Sequence, residues 1–295
     1  MTGAGGARRY GRGVIDLHSH LLPGIDDGPP TIDGTLEMAR LAVADGVTTM
    51  VCTPHMAPPY PHTTPQRVAE ALARTREALA EAEIPLEVLP GAEIAMDWIA
   101  RMSDADLRAA SLGGNGRWIL LEMPFQGWPV GVTDLLTDLE LRGFRPVLAH
   151  PERAGGVQSA PERMRDLVGR GALTQLTASS FTGEHGRMAR QTARTLLRNG
   201  MVHLLASDAH APDRRPPGLS EGLAGVAGAL RVEPDDVRWM VDEGPRLVLA
   251  GGDVRTPRFG MSMPARPVRA PEPRPRRPRP ARPGPPRSRR PQTSR

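Results

Sequence analysis

Seven short runs of β-forming residues, each separated from the next by a stretch of helical spacing, constrain this chain more than any other feature. The runs fall at residues 14–18, 47–53, 86–90, 118–122, 146–150, 173–177 and 202–207. Helical patterns lie between them at 32–44, 66–82, 133–142, 161–171 and 187–199. The second of these opens with Thr64 and Pro65, a capping hydroxyl followed by proline at the first helical position. Strands that alternate with helices pair in parallel through right-handed crossovers. One domain of this length with that alternation closes most economically into an α/β barrel, although the pattern also admits a doubly wound open sheet.

The barrel is expected over residues 14–255, between two segments of different composition. Residues 264–295 hold eleven arginines against one acid, Glu272, and eleven of the 32 prolines. Such a segment has almost nothing to bury, so residues 256–295 are expected to form a disordered, basic Pro/Arg tail. Residues 1–13 are expected to form a flexible arm. The tail carries +10 while the whole chain carries +5, which leaves −5 on residues 1–263. A mildly acidic folded part argues against nucleic-acid binding despite a pI of 10.6. No apolar run approaches the roughly 18 residues of a membrane span. The apolar stretch after Arg8, Arg9 and Arg12 is too short for a signal peptide. The single cysteine, Cys52, excludes an internal disulfide and any multi-cysteine metal site. These features lead to the expectation of a soluble, cytoplasmic protein.

Most of the histidines and several acids sit at the C-terminal ends of the expected strands. His18 and His20 close the first, and Asp26 and Asp27 follow in a Pro-Gly-Ile-Asp-Asp-Gly loop. His55 follows the second strand, Glu93 the third, and Glu122 ends the fourth. His150 ends the fifth, and Asp208 and His210 end the seventh. In a parallel α/β barrel the βα loops converge on that face, so residues distant in sequence meet in one cup. Side chains two apart on a strand face the same side, so His18 with His20, and Asp208 with His210, are each expected to reach one ion. Imidazole and carboxylate together suit Mn, Zn or Fe, and the lack of thiolate disfavours a structural zinc site.

The segment from Asp16-Leu17-His18-Ser19-His20 through Pro23-Gly24-Ile25-Asp26-Asp27-Gly28 resembles the opening signature of the PHP (polymerase and histidinol phosphatase) superfamily. It is most similar to the CpsB/CapC-type tyrosine-protein phosphatases of bacterial capsular and exopolysaccharide systems. The likeness continues through Thr53-Pro54-His55, Gly91-Ala92-Glu93-Ile94, Leu121-Glu122, His150-Pro151-Glu152-Arg153 and Ser207-Asp208-Ala209-His210, covering about residues 14–250. The resemblance implies a distorted (β/α)7 TIM-like barrel with three divalent ions, usually manganese, that hydrolyses protein phosphotyrosine. Carried over position by position, the ligands would be His18, His20, Asp27, His55, Glu93, Glu122, His150, Asp208 and His210. Arg153 and Arg215 would bind phosphate, with Arg214 the neighbouring alternative to Arg215. The implied partner is a phosphotyrosine protein, a bacterial tyrosine kinase of a polysaccharide system; a homo-oligomer is compatible with the sequence.

The chemistry agrees with that implication. Three divalent ions against Asp27, Glu93, Glu122 and Asp208 would leave about +2, enough to attract a phosphomonoester dianion. A metal-activated hydroxide would attack phosphorus while arginine absorbs charge on the equatorial oxygens. Asp16 and Glu152 are candidates to orient ligand histidines from behind, with Glu152 read equally as a surface or capping carboxylate. Trp128 is read either as lining the substrate mouth or as a packed loop aromatic. The thiolate route needs C-x5-R, and the position after Cys52 that should be arginine is Pro58, so that route is excluded. Two other functions compete: a barrel phosphatase of a small phosphomonoester such as histidinol phosphate, and a non-catalytic regulatory protein that docks through its basic tail.

Overall fold

The computed structural model describes residues 13–254, so the expected tail and all but the last residue of the expected arm lie outside the described residues. Nine parallel strands build seven staves. They are β1 (Val14–Ser19), β2 (Val47–Cys52), β3 (His55–Met56), β4 (Glu87–Pro90), β5 (Glu93–Ala95), β6 (Trp118–Glu122), β7 (Arg145–Ala149), β8 (Leu173–Thr177) and β9 (Leu204–Ala206). One sheet runs β1-β2-β4 and the other β3-β5-β6-β7-β8-β9. Each expected run matches a strand to within a residue or two at either end. The strands β3 and β5 continue β2 and β4 beyond Thr53-Pro54 and Gly91-Ala92, which the sequence reads as loop because proline and glycine interrupt the ladder there. A side chain at Gly91 would meet Val51 Cγ1 at 2.8 Å, so glycine is what lets the two staves kink together.

The ring closes between the first and last staves. His20 N donates to Ala209 O at 2.8 Å and Asp208 N to His18 O at 2.9 Å, around a bridge between Ser19 and Ala209. The result is the distorted (β/α)7 barrel, closed rather than doubly wound. Helices Ile32–Ala44, Pro65–Glu81, Val132–Leu141 and Gly186–Arg198 follow strands as the spacing predicts, while residues 161–171 form a short 3-10 turn and then Met164–Gly169. Thr64 accepts from Arg67 N, with Pro65 in the first turn, as the capping pattern requires.

Apolar side chains fill the barrel below the site. Ile15, Leu17, Val51, Leu89, Leu120, Val147, Leu173 and Leu204 form one buried cluster, closed at the N-terminal end by Val248 and Leu249 of the helix Glu243–Leu249. Above this plug the same strands turn polar: Glu122 and Gln175 lie two residues beyond Leu120 and Leu173, and Asp208 lies four beyond Leu204. The pairing of β1 with β2 shifts register between Asp16 and Ser19. Strict alternation fails there, which lets Leu17 join the core while neighbouring His18 joins the site. Among the described residues no helix is long and apolar enough to cross a membrane.

Candidate metal centre

The centre of the cup is a meeting of acceptors. His18 Nδ1 lies 2.8 Å from Gln175 Oε1, and the Gln175 amide nitrogen donates to Leu176 O, so His18 donates from Nδ1. His20 Nδ1 donates to Asp26 Oδ2 at 2.6 Å. In the neutral form both rings therefore present a bare Nε2 lone pair, and those two atoms are 3.3 Å apart. Glu93 Oε2 stands 3.3 Å from each, and Asp208 Oδ1 stands 3.3 Å from one and 3.5 Å from the other. Neither carboxylate oxygen has a hydrogen-bond partner, although both are buried. Four lone pairs so placed repel unless a cation joins them. Ligands about 2.1 Å from a tetrahedral centre are about 3.4 Å from one another, so this donor set fits a divalent ion.

Two further groups overlap with the first. His55, Glu93 and Glu122 form one, and His20, Asp27, His55 and His210 the other. His55 Nδ1 is 3.1 Å from Glu93 Oε2, and its Nε2 is 3.6 Å from Asp27 Oδ1. His210 Nδ1 donates to Asp208 O at 2.9 Å, leaving Nε2 3.5 Å from Asp27 Oδ1. Eight of the nine expected ligands thus fall into three overlapping groups. The ninth, His150, belongs to none of them and donates from Nε2 to Glu93 Oε1 at 2.7 Å. Asp208 and His210, expected to share an ion, fall in different groups, with His210 Nδ1 3.7 Å from Asp208 Oδ1. Asp208 has φ +54°, outside the extended backbone on which the two-residue rule depends.

Ionisation follows this crowding. Burial opposes the charged form of Glu93, yet the imidazoles of His18 and His150 hold its carboxyl well below the usual range. Burial, then the adjacent Glu93 carboxylate, pushes Glu122 up to about 8. Burial would lower His18 and His20, but Glu93 and Asp208 for the first, and Asp26 and Asp208 for the second, raise both. The cluster calls for positive charge at the shared vertex, which a divalent ion supplies.

Two arginines close the cup. Arg153 Nη1 donates to Asp208 Oδ2, and Arg215 Nη2 reaches the same oxygen at 2.5 Å. Arg214 is exposed and makes neither contact. Arg215 Nε is buried without a partner, a donor left over at the edge of the site. Of five non-glycine residues with positive φ among the described residues, three are His150, Asp208 and Arg215. Strained backbone thus concentrates where the site needs side chains aimed away from the regular ladder.

The orienting groups differ from those expected. Asp16 Oδ1 accepts from the backbone nitrogens of His18 and Ser207, fastening β1 to the end of β9, and touches no imidazole. Glu152 accepts from Thr177 N and Ser180 Oγ and anchors the His-Pro-Glu-Arg turn onto β8. Neither orients a ligand ring. That work falls to Gln175 on His18 and to Asp26 on His20, both missed as orienting groups. The signals were a polar residue inside the run Leu-Thr-Gln-Leu-Thr, and a doubled aspartate in which one carboxylate positions a ring while the next faces the cup. Asp26 Oδ2 also accepts from His55 N at 2.9 Å, so it ties two ligand loops together. Asp26→Ala should lower metal affinity about 10- to 100-fold, read by titrating the metal-free protein with Mn2+. Unchanged affinity would remove Asp26 from the site.

Trp128 does not line the mouth; Arg163 lies over its ring at 3.9 Å. The aromatics at the rim are Tyr60, stacked on His55, and Phe125, stacked on His150. Cys52 is fully buried in β2, and burial pushes its thiol up to about 12.

Known proteins resemble this chain in sequence and fold. A family model described as capsular polysaccharide synthesis, CpsB/CapC, matches residues 14–237. The chain is 36% identical over 197 residues to the tyrosine-protein phosphatase YwqE of Bacillus subtilis, covering 67% of this chain and 77% of that protein. It is 28% identical over 221 residues to the tyrosine-protein phosphatase CpsB of Streptococcus pneumoniae, covering 72% and 90%. A solved structure from work on YwqE and CpsB, described there as unique metal-dependent tyrosine phosphatases, superposes with a TM-score of 0.72 at 32% identity. That match covers 81% of this chain and 95% of the other.

Proposed function

Because the chain belongs to the CpsB/CapC family, we propose that it is a metal-dependent protein-tyrosine phosphatase of capsular or exopolysaccharide synthesis. Its substrate on this reading is a phosphotyrosine protein, a bacterial tyrosine kinase of the same system, met in the cytoplasm. Manganese is the cation on this reading, with zinc or iron compatible with the same imidazole and carboxylate donors. The observation that carries the reading is the set of four acceptor atoms about 3.3 Å apart beneath two arginines.

The divalent ions, when bound, would supply Lewis acidity that activates water and neutralises charge on the phosphoryl group. His18, His20, Glu93 and Asp208 would hold one of them, with His55, Glu122, Asp27, His210 and His150 holding the rest. Gln175 and Asp26 keep the rings of His18 and His20 in the tautomer that leaves Nε2 free. Arg153 and Arg215 share one oxygen of Asp208, so each guanidinium has further N–H groups to offer the equatorial oxygens of a phosphate. A tyrosine phenolate has a conjugate-acid pKa of about 10, so its departure asks little of a general acid.

Relative kcat/KM on a phosphotyrosine peptide and on histidinol phosphate, both with Mn2+, tests this assignment. The peptide should be preferred about tenfold or more. Preference for histidinol phosphate would move the chain to small-molecule metabolism, and turnover of neither would leave a binding protein.

A further inference from the structure

A cleft of about 610 Å³ opens directly beside the metal centre. Its inner end is formed by His55 and Glu122, both members of the candidate ion-binding groups. Its walls include Tyr60, Met96, Phe125, Val130 and Leu135. Asp97 is the one charged lining residue outside those groups, and it is exposed. The volume lies in the range of sites that enclose several side chains or a drug-sized ligand, well beyond a single phenyl ring.

The rim is unusual in its exposure. Phe125 is 49% exposed and Val130 fully exposed, two of the five large exposed hydrophobics among the described residues. Exposed apolar groups clustered beside a concave site mark a surface that a ligand covers. The loop carrying them is anchored. Phe125 O accepts from Gly155 N at 2.8 Å. A side chain at Gly156 would meet Gly127 O at 2.1 Å, so the loop lies tightly against the Arg153 turn. The guanidinium of Arg163 covers Trp128 on the same loop. The cleft is therefore preformed, and binding in it costs little ordering of the protein.

Charge selects among occupants. The phosphate-binding cations, Arg153 and Arg215, lie outside this lining, which contains no arginine at all. An anionic lipid surface or an acidic peptide segment would meet Asp97, while the nearest cation, Arg153 at 5.3 Å over the Phe125 ring, is already bonded to Asp208. An extended peptide with its phosphate at the inner end and an apolar side chain against Met96, Leu135 and Val130 satisfies both halves.

Resting on the phosphatase reading above, we infer that this cleft is a peptide subsite that selects phosphotyrosines flanked by an apolar residue and disfavours acidic flanks. Two phosphotyrosine peptides, one with leucine and one with aspartate on both sides, test it on the full chain with Mn2+, beside p-nitrophenyl phosphate. The leucine peptide should be hydrolysed with kcat/KM about tenfold above the aspartate peptide, mostly through KM. Val130→Asp, at a fully exposed position that folding does not need, should cut the leucine-peptide to p-nitrophenyl phosphate ratio by about fivefold or more. Asp97→Asn should narrow the gap between the two peptides.

Equal kcat/KM on the two peptides, preference for the acidic one, or a ratio untouched by Val130→Asp would each overturn the subsite. Fluorescence anisotropy of the same peptides bearing a non-hydrolysable phosphonate reads the cleft without turnover. A leucine preference in binding with no hydrolysis would sink the phosphatase reading and leave the subsite standing. Equal binding would sink the subsite alone.

Discussion

Stripping divalent cations with EDTA should abolish phosphotyrosine hydrolysis completely, and Mn2+ should restore it, while iodoacetamide should leave the rate nearly unchanged. The first half follows from the acceptor cluster of His18, His20, Glu93 and Asp208, which has no donor of its own at its shared vertex. The second follows from Cys52, fully buried with its thiol pushed up to about 12, and from proline at position 58. The same titration should raise the melting temperature, because a ligand bound only by the folded state at 100 times its Kd adds about 2.7 kcal/mol. Full activity in protein shown by elemental analysis to be metal-free would refute the mechanism.

His150→Ala and Arg153→Ala should separate holding the metal from holding the phosphate. His150 is buried against Glu93 Oε1, and its loss frees that carboxylate at the hub of two ion-binding groups. The expected outcome is a fall in both bound metal and activity. Arg153 repels cations and gains only when an anion arrives, so its alanine variant should keep the metals. Turnover should drop about 10²- to 10³-fold, chiefly in kcat, since its hydrogen bonds strengthen as charge builds on the equatorial oxygens. Near-wild-type kcat/KM in Arg153→Ala would transfer the clamp to Arg215, whose Nε is already an unpaired buried donor. Metal content and steady-state kinetics measured on the same preparations distinguish these outcomes.

The geometry explains why the ligands were legible so early. A barrel strand runs from apolar plug to polar mouth, so a histidine or carboxylate at the end of an apolar run, or a few residues past it, declares its own height in the barrel. His18, His55, Glu93, Glu122, His150 and Asp208 all carry that signature. The family likeness named the same residues. Helix caps such as Thr64-Pro65 were legible for a simpler reason, since their partners lie within one turn.

Other features depended on contacts across the ring. Asp16 was expected behind a histidine, yet it bonds Ser207 N across 191 positions of sequence, and no local pattern encodes that meeting. Gln175 reaches His18 across 157 positions for the same reason. Asp208 and His210, two positions apart, fall in different groups, and Asp208 has φ +54°, which no local pattern announces. That Arg215 rather than its neighbour Arg214 reaches Asp208 likewise depends on which of two adjacent guanidiniums the loop aims inward.

By itself, then, the sequence determined the alternation of strand and helix and the parallel pairing, because each depends on neighbours a few residues apart, and through the family resemblance it named the candidate ligands. Only the tertiary structure decided which carboxylate orients which ring, which ligands share a vertex, and where the apolar cleft opens. Those outcomes depend on how seven staves close against one another, and distances set by closure are not written in any single stave.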